Sequence, residues 1–322
     1  MFNFIKTHFL PLGVGLFTLA QISGCSLLQG SSGSKLNGPI SVPEKYIYYS
    51  HASDSTLAKE QALIINLMMV LDSDAKSPEE KSEVFYQIAT VYDDLGLESM
   101  SRFMLMNSIV NKPGYSRPYE LLGLYFLKDG RIAEACDAFD AAIELDTHNS
   151  SAYPYLNRAF TMYYTNHEKL ALEDMSYFYN DDKYDPYRML CLYFVESAVN
   201  GRNVAIKNLK ERFDDYQNSV KKKQWGDNLV KLYLGYVSQD ALFEDIASYK
   251  NDADLFQEHL CEAYFYIGKL ALENKQDKLA YDYFSLCRQT RKYSFLEYRN
   301  AYLEMKAIEK KYNLTSDIEP LE

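Results

Sequence analysis

The chain has 322 residues, 47% of them hydrophobic, with only 14 Gly and 9 Pro and a formal net charge of -11. That hydrophobic share excludes a largely disordered protein, and so few helix breakers favour an all-α chain long enough for one solenoid or two ordinary domains. The acidity argues against nucleic acid as a partner, because phosphate binding needs a basic face.

The N-terminus reads as an address. Lys6 precedes an apolar run over residues 9–22, which ends in Ile22-Ser23-Gly24-Cys25. A basic start, an apolar centre and small residues before a cut describe a secretory signal. The run is short for a spanning helix, which needs roughly 20 residues. Cys directly after Ile-Ser-Gly has the form of a bacterial lipobox. The expectation is cleavage of residues 1–24 and lipidation of Cys25, several acyl chains together giving stable attachment. Ser26, where an Asp would retain the product at the inner membrane, points to the outer membrane with the body facing the periplasm. Residues 25–52, rich in Ser, Gly and Pro, read as a lipidated N-terminus and flexible tether.

A solenoid body is expected over residues 53–322. Residues 57–71 form a helix whose apolar face is broad enough to pack on the first repeat or to self-associate. Ser77-Pro78-Glu79-Glu80 has the capping-box form of a helix start. A first repeat, about 82–115, carries Phe85, Ile88, Ala89 and Tyr92, then Ser101, Leu105 and Ser108. The second, 116–149, carries Tyr119, Leu122, Gly123 and Phe126, then Ala135 and Phe139. Ala89 to Gly123 and Ser101 to Ala135 are both 34 residues. Aromatic, Leu-Gly and aromatic, then Ala and Phe, on a 34-residue period is the tetratricopeptide (TPR) helix–turn–helix pattern. Small residues mark the helix crossing, the aromatics fill beside it, and Asp129-Gly130 ends the first helix.

A third repeat, about 152–185, places Ala159 and Ala171 at the two small positions. Residues 187–220 read as a degenerate repeat, with Tyr193 where a small residue belongs if Ala205 takes the second small position. Lys221-Lys222-Lys223 reads as a solvated linker and residues 224–249 as further helix. The pattern returns at 261–294 with Tyr264, Ile267 and Gly268, then Ala280, Phe284 and Cys287. Residues 295–311 form a last amphipathic helix, expected to cap the stack. The expected fold is an all-α TPR solenoid with additional and capping helices.

Motifs of catalysis are missing: there is no HExxH, GxSxG, Walker or GxGxxG stretch, and the five His are scattered. Glu258-His259-Leu260-Cys261-Glu262 puts metal-ligand types one turn apart, short of the three or four ligands zinc wants, and reads as helix surface plus one buried Cys. No metal, no cofactor and no enzymatic activity are expected. Cys136, Cys191, Cys261 and Cys287 fall in helical patterns and read as separate buried thiols; whether any two form a disulfide is left open by spacing alone. The first helices of TPR arrays line a concave face. Here that face would include Tyr86, Glu120, Leu124, Tyr153, Asn157, Phe160, Tyr163 and Tyr164, about half of them exposed. Aromatics with a few polar groups suit an extended peptide or a partner helix.

Several stretches go beyond the generic repeat: VYDDLGL (91–97), FDAAIELD (139–146), EKLALED (168–174), FYNDDKYDPYR (178–188), QWGDNLVKLYLG (224–235), EHLCEAYFYIGK (258–269) and FLEYRNAYLE (295–304). In them the chain resembles the NlpI family of tetratricopeptide outer-membrane lipoproteins of Gram-negative bacteria. The resemblance covers most of residues 80–304 and is low before residue 80. It implies a homodimeric periplasmic adaptor that brings peptidoglycan hydrolases and synthases together and presents a murein endopeptidase to a tail-specific protease. The alternative is a lipoprotein subunit of an outer-membrane protein assembly machine.

Overall fold

The computed structural model describes residues 54–72, 76–222 and 224–313, with side chains from 56 onward. The signal, Cys25, the tether and the end of the C-terminal tail lie outside the described residues. Among those described, every regular element is a helix, and the fold is an all-α TPR solenoid.

Five helix pairs pack as antiparallel hairpins. They are α2 (Pro78–Asp94) with α3 (Glu98–Asn111), α4 (Arg117–Lys128) with α5 (Ile132–Leu145), and α6 (Tyr153–Tyr164) with α7 (Glu168–Asp181). Then come α8 (Pro186–Asn200) with α9 (Arg202–Ser219), and α12 (Ala253–Glu273) with α13 (Asp277–Gln289). α2 starts where its capping box says: Ser77 Oγ accepts from the Glu80 N–H, and the Glu80 carboxylate accepts from the Ser77 N–H. The hairpins close on small residues. Gly123 faces the ring of Phe139 so closely that a Cβ there would sit 2.5 Å from it, and Gly268 faces Phe284 in the same way at 2.6 Å. Ala89, Ala135, Ala159, Ala171, Ala205 and Ala280 are all fully buried.

Between the fourth and last hairpins the chain departs from the repeat. Residues 224–249 are not one helix but two short ones, α10 (Gly226–Tyr233) and α11 (Gln239–Ala247). Gly235 at φ +73° makes the break, a conformation other residues adopt only with strain. α10 inserts Leu229, Val230 and Tyr233 into the core. The oversized Tyr193 is fully buried against Phe194 and Tyr233, and its hydroxyl donates to Glu273. α12 begins eight residues before its repeat pattern does, capped by Asp252 accepting from the Leu255 N–H.

At the N-terminal end, α1 (Asp54–Leu71) leans Leu67, Met68 and Leu71 on the α2–α4 core. Leu63, Ile65 and Met69 remain exposed, and no described side chain of α1 is fully buried.

The last helix, α14 (Leu296–Lys311), does more than cover the end of the stack. It runs back along the inner face of the array. Leu303 packs on the α4–α5 cluster, Leu296 on the α6–α8 cluster, and Arg299 reaches Asp93 on α2. Glu297, Asn300 and Glu304 are thereby buried, although they are polar residues of an amphipathic helix.

Candidate functional site

The inner face is built from α2, α4, α6, α8 and α12, the first helices of the hairpins, together with α14. α14 divides the eight sequence-predicted groove positions into two groups.

The first group is enclosed. Phe160 is buried and stacks on Tyr164, with ring centroids 6.2 Å apart. The Tyr164 hydroxyl donates to Glu304 of α14 at 3.0 Å. Lys269 of α12 donates to Glu304 at 2.5 Å and to the Tyr163 hydroxyl at 3.2 Å. Both Lys269 and Glu304 are buried. Burial works against the Lys269 charge, but Glu304 outweighs it and holds the ammonium protonated above its usual range. Tyr163 and Tyr164 are therefore parts of a folded contact between the third repeat and the C-terminal helix.

The second group is open. Glu120, Leu124, Tyr153 and Asn157 line a cavity of about 390 Å³ together with Asp185, Tyr187, Glu262, Glu297 and Arg299. Tyr86 lines an adjoining hollow beside Arg117 and Glu120. Tyr153 is 47% exposed and meets Phe178 edge-on at 5.5 Å. Asn157 is buried and donates to Glu120 at 2.9 Å. Tyr86 is half-buried, edge-on to Tyr115, and burial with the nearby Glu120 charge raises its hydroxyl to about 12. Of the eight residues, then, Tyr153 is exposed over about half its surface, five are half-buried, and Asn157 and Phe160 are buried.

Carboxyls dominate the open cavity. Burial lifts Glu120 to about 7, against the opposing pull of Arg117 and Asn157. Burial and then the charge of Glu262 push Glu297 to about 8, while Tyr266 donates to it at 3.2 Å. Glu297 therefore keeps its proton to higher pH than an ordinary carboxyl. Arg299 is held by Asp93 at 2.5 Å and leaves the lining with a net excess of acid. Such a surface suits a partner that brings an apolar or aromatic side chain together with an amine or guanidinium.

Sequence reasoning missed Lys269 and the α14 residues. Lys269 stands one residue after Gly268, as Leu124 stands one after Gly123, so carrying the groove register into the last repeat reaches it. Nothing local in the sequence marks Arg299 or Glu304 as groove residues.

The Glu258–Glu262 pentad is spread over different surroundings. His259 is buried, not on the surface, and stacks on Trp225 with centroids 3.9 Å apart. Glu258 pairs with Lys292, Glu262 accepts from the Trp225 indole N–H, and Cys261 faces Cys287. Among the described residues no group of three or more His, Cys, Asp or Glu is placed to hold a metal ion, and no helix is long and apolar enough to cross a membrane.

The geometry defines a helical-hairpin array with a partly filled inner groove. No protein-family model matches the chain. Among solved structures it is similar to MamA, at 19% identity and a TM-score of 0.42, covering 53% of this chain and 98% of that one. It is similar to PilW, titled a type IV pilus biogenesis factor, at 17% identity and a TM-score of 0.43 over 62% and 94% of the two chains. A tetratricopeptide repeat protein from Parabacteroides merdae overlaps 79% of this chain and 95% of its own, at 11% identity and a TM-score of 0.43. Overlaps this loose assign neither a family nor a partner.

Proposed function

We propose that this protein is a non-catalytic adaptor, lipid-anchored through Cys25 to the outer membrane, whose inner groove docks cell-wall enzymes in the periplasm. The observation that carries the docking role is the open half of the groove. Tyr153, Glu120, Leu124 and Tyr86 come from three successive repeats and line one continuous surface beside α14. The resemblance to the NlpI family supplies the partner class: peptidoglycan hydrolases, and a tail-specific protease that degrades one of them. Function would follow from proximity. Holding protease and substrate on one platform raises their effective concentration without any chemistry by the platform. The exposed apolar positions of α1 are the proposed contact for the homodimer that the resemblance implies.

The test is capture from a periplasmic extract with the mature chain and with a Tyr153→Ala variant. Recovery of a hydrolase or the protease by the parent, with clear loss in the variant, supports the reading. Recovery of an integral barrel protein would favour the assembly-machine alternative, and capture of no cell-wall enzyme would sink the adaptor role. Light scattering checks the dimer.

A further inference from the structure

The four cysteines of the described body are not equivalent. Cys136 on α5 is half-exposed, and Cys191 on α8 is buried beside Tyr187. Cys261 on α12 and Cys287 on α13 are both fully buried, and their sulfurs lie 3.6 Å apart, in van der Waals contact across the last hairpin. The contact is built rather than incidental. Gly268 against Phe284 and the buried Ala280 bring the two helices close. One turn before Cys261, the Gln257 side-chain amide donates to the Thr290 carbonyl, and the Thr290 hydroxyl donates to the Cys287 carbonyl at 2.6 Å. The helix ends that flank the two thiols are therefore tied to each other.

We propose that Cys261 and Cys287 form a disulfide that cross-links α12 to α13 beneath the groove-filling helix α14. A disulfide needs the sulfurs at about 2.05 Å, so side-chain rotation must bring them closer by roughly 1.5 Å. The oxidant is another disulfide, such as glutathione disulfide or a thiol–disulfide oxidoreductase. One cysteine thiolate attacks it and forms a mixed disulfide, and the second thiolate then displaces the oxidant's thiol. One S–S bond forms in the protein and one breaks in the oxidant. Two electrons reduce the oxidant to two thiols, which take up the two protons the cysteines release. Burial raises the Cys287 thiol well above its usual range and hides both sulfurs from reagents. The exchange therefore occurs before the hairpin closes, or when it opens, and the finished bond resists reductant in the folded protein. The pairing needs only oxidising surroundings and stands apart from the adaptor role.

The test refolds the full chain from urea in a buffer of reduced and oxidised glutathione. The remaining thiols are then alkylated under denaturing conditions and a non-reduced digest is read by mass spectrometry. The expected product is a Cys261 peptide joined to a Cys287 peptide, two hydrogens lighter than the sum, with Cys25, Cys136 and Cys191 alkylated. The oxidised chain should melt on the order of 5 °C above the fully reduced one, and Cys287→Ser should abolish that difference. Should the variant fail to fold, the oxidised and reduced parent chains give the same comparison. Alkylation of both Cys261 and Cys287, or a cross-link from either of them to Cys25, Cys136 or Cys191 instead, overturns the proposal.

Discussion

The Arg299 guanidinium donates to the Asp93 carboxylate at 2.5 Å, although 206 residues separate them. The other Asp93 oxygen accepts from the Tyr125 hydroxyl at 2.8 Å. The pair thus fastens the last helix to the first repeat, with both side chains at least 85% buried. Removing one partner strands the other charge in low dielectric. Arg299→Ala is expected to cost about 2–4 kcal/mol in urea unfolding. Hydrogen exchange should show protection lost first in α14. A double-mutant cycle with Asp93→Asn should recover a coupling of about 1 kcal/mol or more; strict additivity would mean the two do not interact in solution.

The crossing of α4 with α5 has no room for a methyl group. Gly123→Ala is expected to destabilise by about 1–3 kcal/mol, because the new Cβ must push the Phe139 ring aside. Gly268→Ala should behave alike against Phe284. Gly114 supplies the control: nothing lies within 4 Å of a Cβ there. Gly114→Ala should fall within about 0.5 kcal/mol of the parent in either direction. Denaturant midpoints at constant slope check all three.

Stability should fall as pH rises toward 8, and Glu297 is the main reason. Its folded-state carboxyl is raised to about 8, chiefly by burial, from an ordinary value near 4.5. Between those two values the unfolded chain has lost the proton and the folded chain keeps it. Folding then takes up a proton, so Glu297 favours the folded state fully below pH 4.5 and progressively less up to pH 8. The slope is about -1.4 kcal/mol per pH unit while that holds. Glu120, raised to about 7, adds to the trend. Glu297→Gln cannot titrate, so the difference in unfolding free energy between parent and variant should narrow in the parent's disfavour from pH 5 to 8. A difference independent of pH would refute the assignment.

Two groove tyrosines should separate in experiment. Tyr153 is 47% exposed, so Tyr153→Ala should cost less than about 1 kcal/mol while weakening partner capture. Tyr163 looked equally suited to contact a partner from its place in the repeat, but it accepts from the buried Lys269. Tyr163→Ala should therefore lower stability by about 1–3 kcal/mol, and any loss of binding should follow from that. Thermal melts beside a capture assay discriminate the two; a stable Tyr163→Ala variant with lost binding would place Tyr163 back on the open surface.

The repeating unit was legible in the chain because its determinants are close in sequence. Gly123 meets Phe139 within one hairpin, Ser77 caps through Glu80, and a 34-residue period carries the same contacts from one hairpin to the next. Short-range sterics and hydrogen bonds of this kind need no knowledge of the rest of the fold. The same register located Glu120, Leu124, Tyr153 and Asn157 on the inner face, since a first-helix position keeps its orientation along a stack.

Which of those residues stay open was decided only in three dimensions. The amphipathic pattern of α14 says that it has an apolar face, not where that face goes. Its place follows from partners 140 and 206 residues away, Tyr164 and Asp93, which carry no local mark of the encounter. The return of α14 along the inner face brings Glu304 within reach of Lys269 and Tyr164. The same placement of α14 buries Glu297. Hairpins are thus fixed by neighbours along the chain, whereas the filled and open halves of the groove are fixed by where the last helix lies against hairpins distant in sequence.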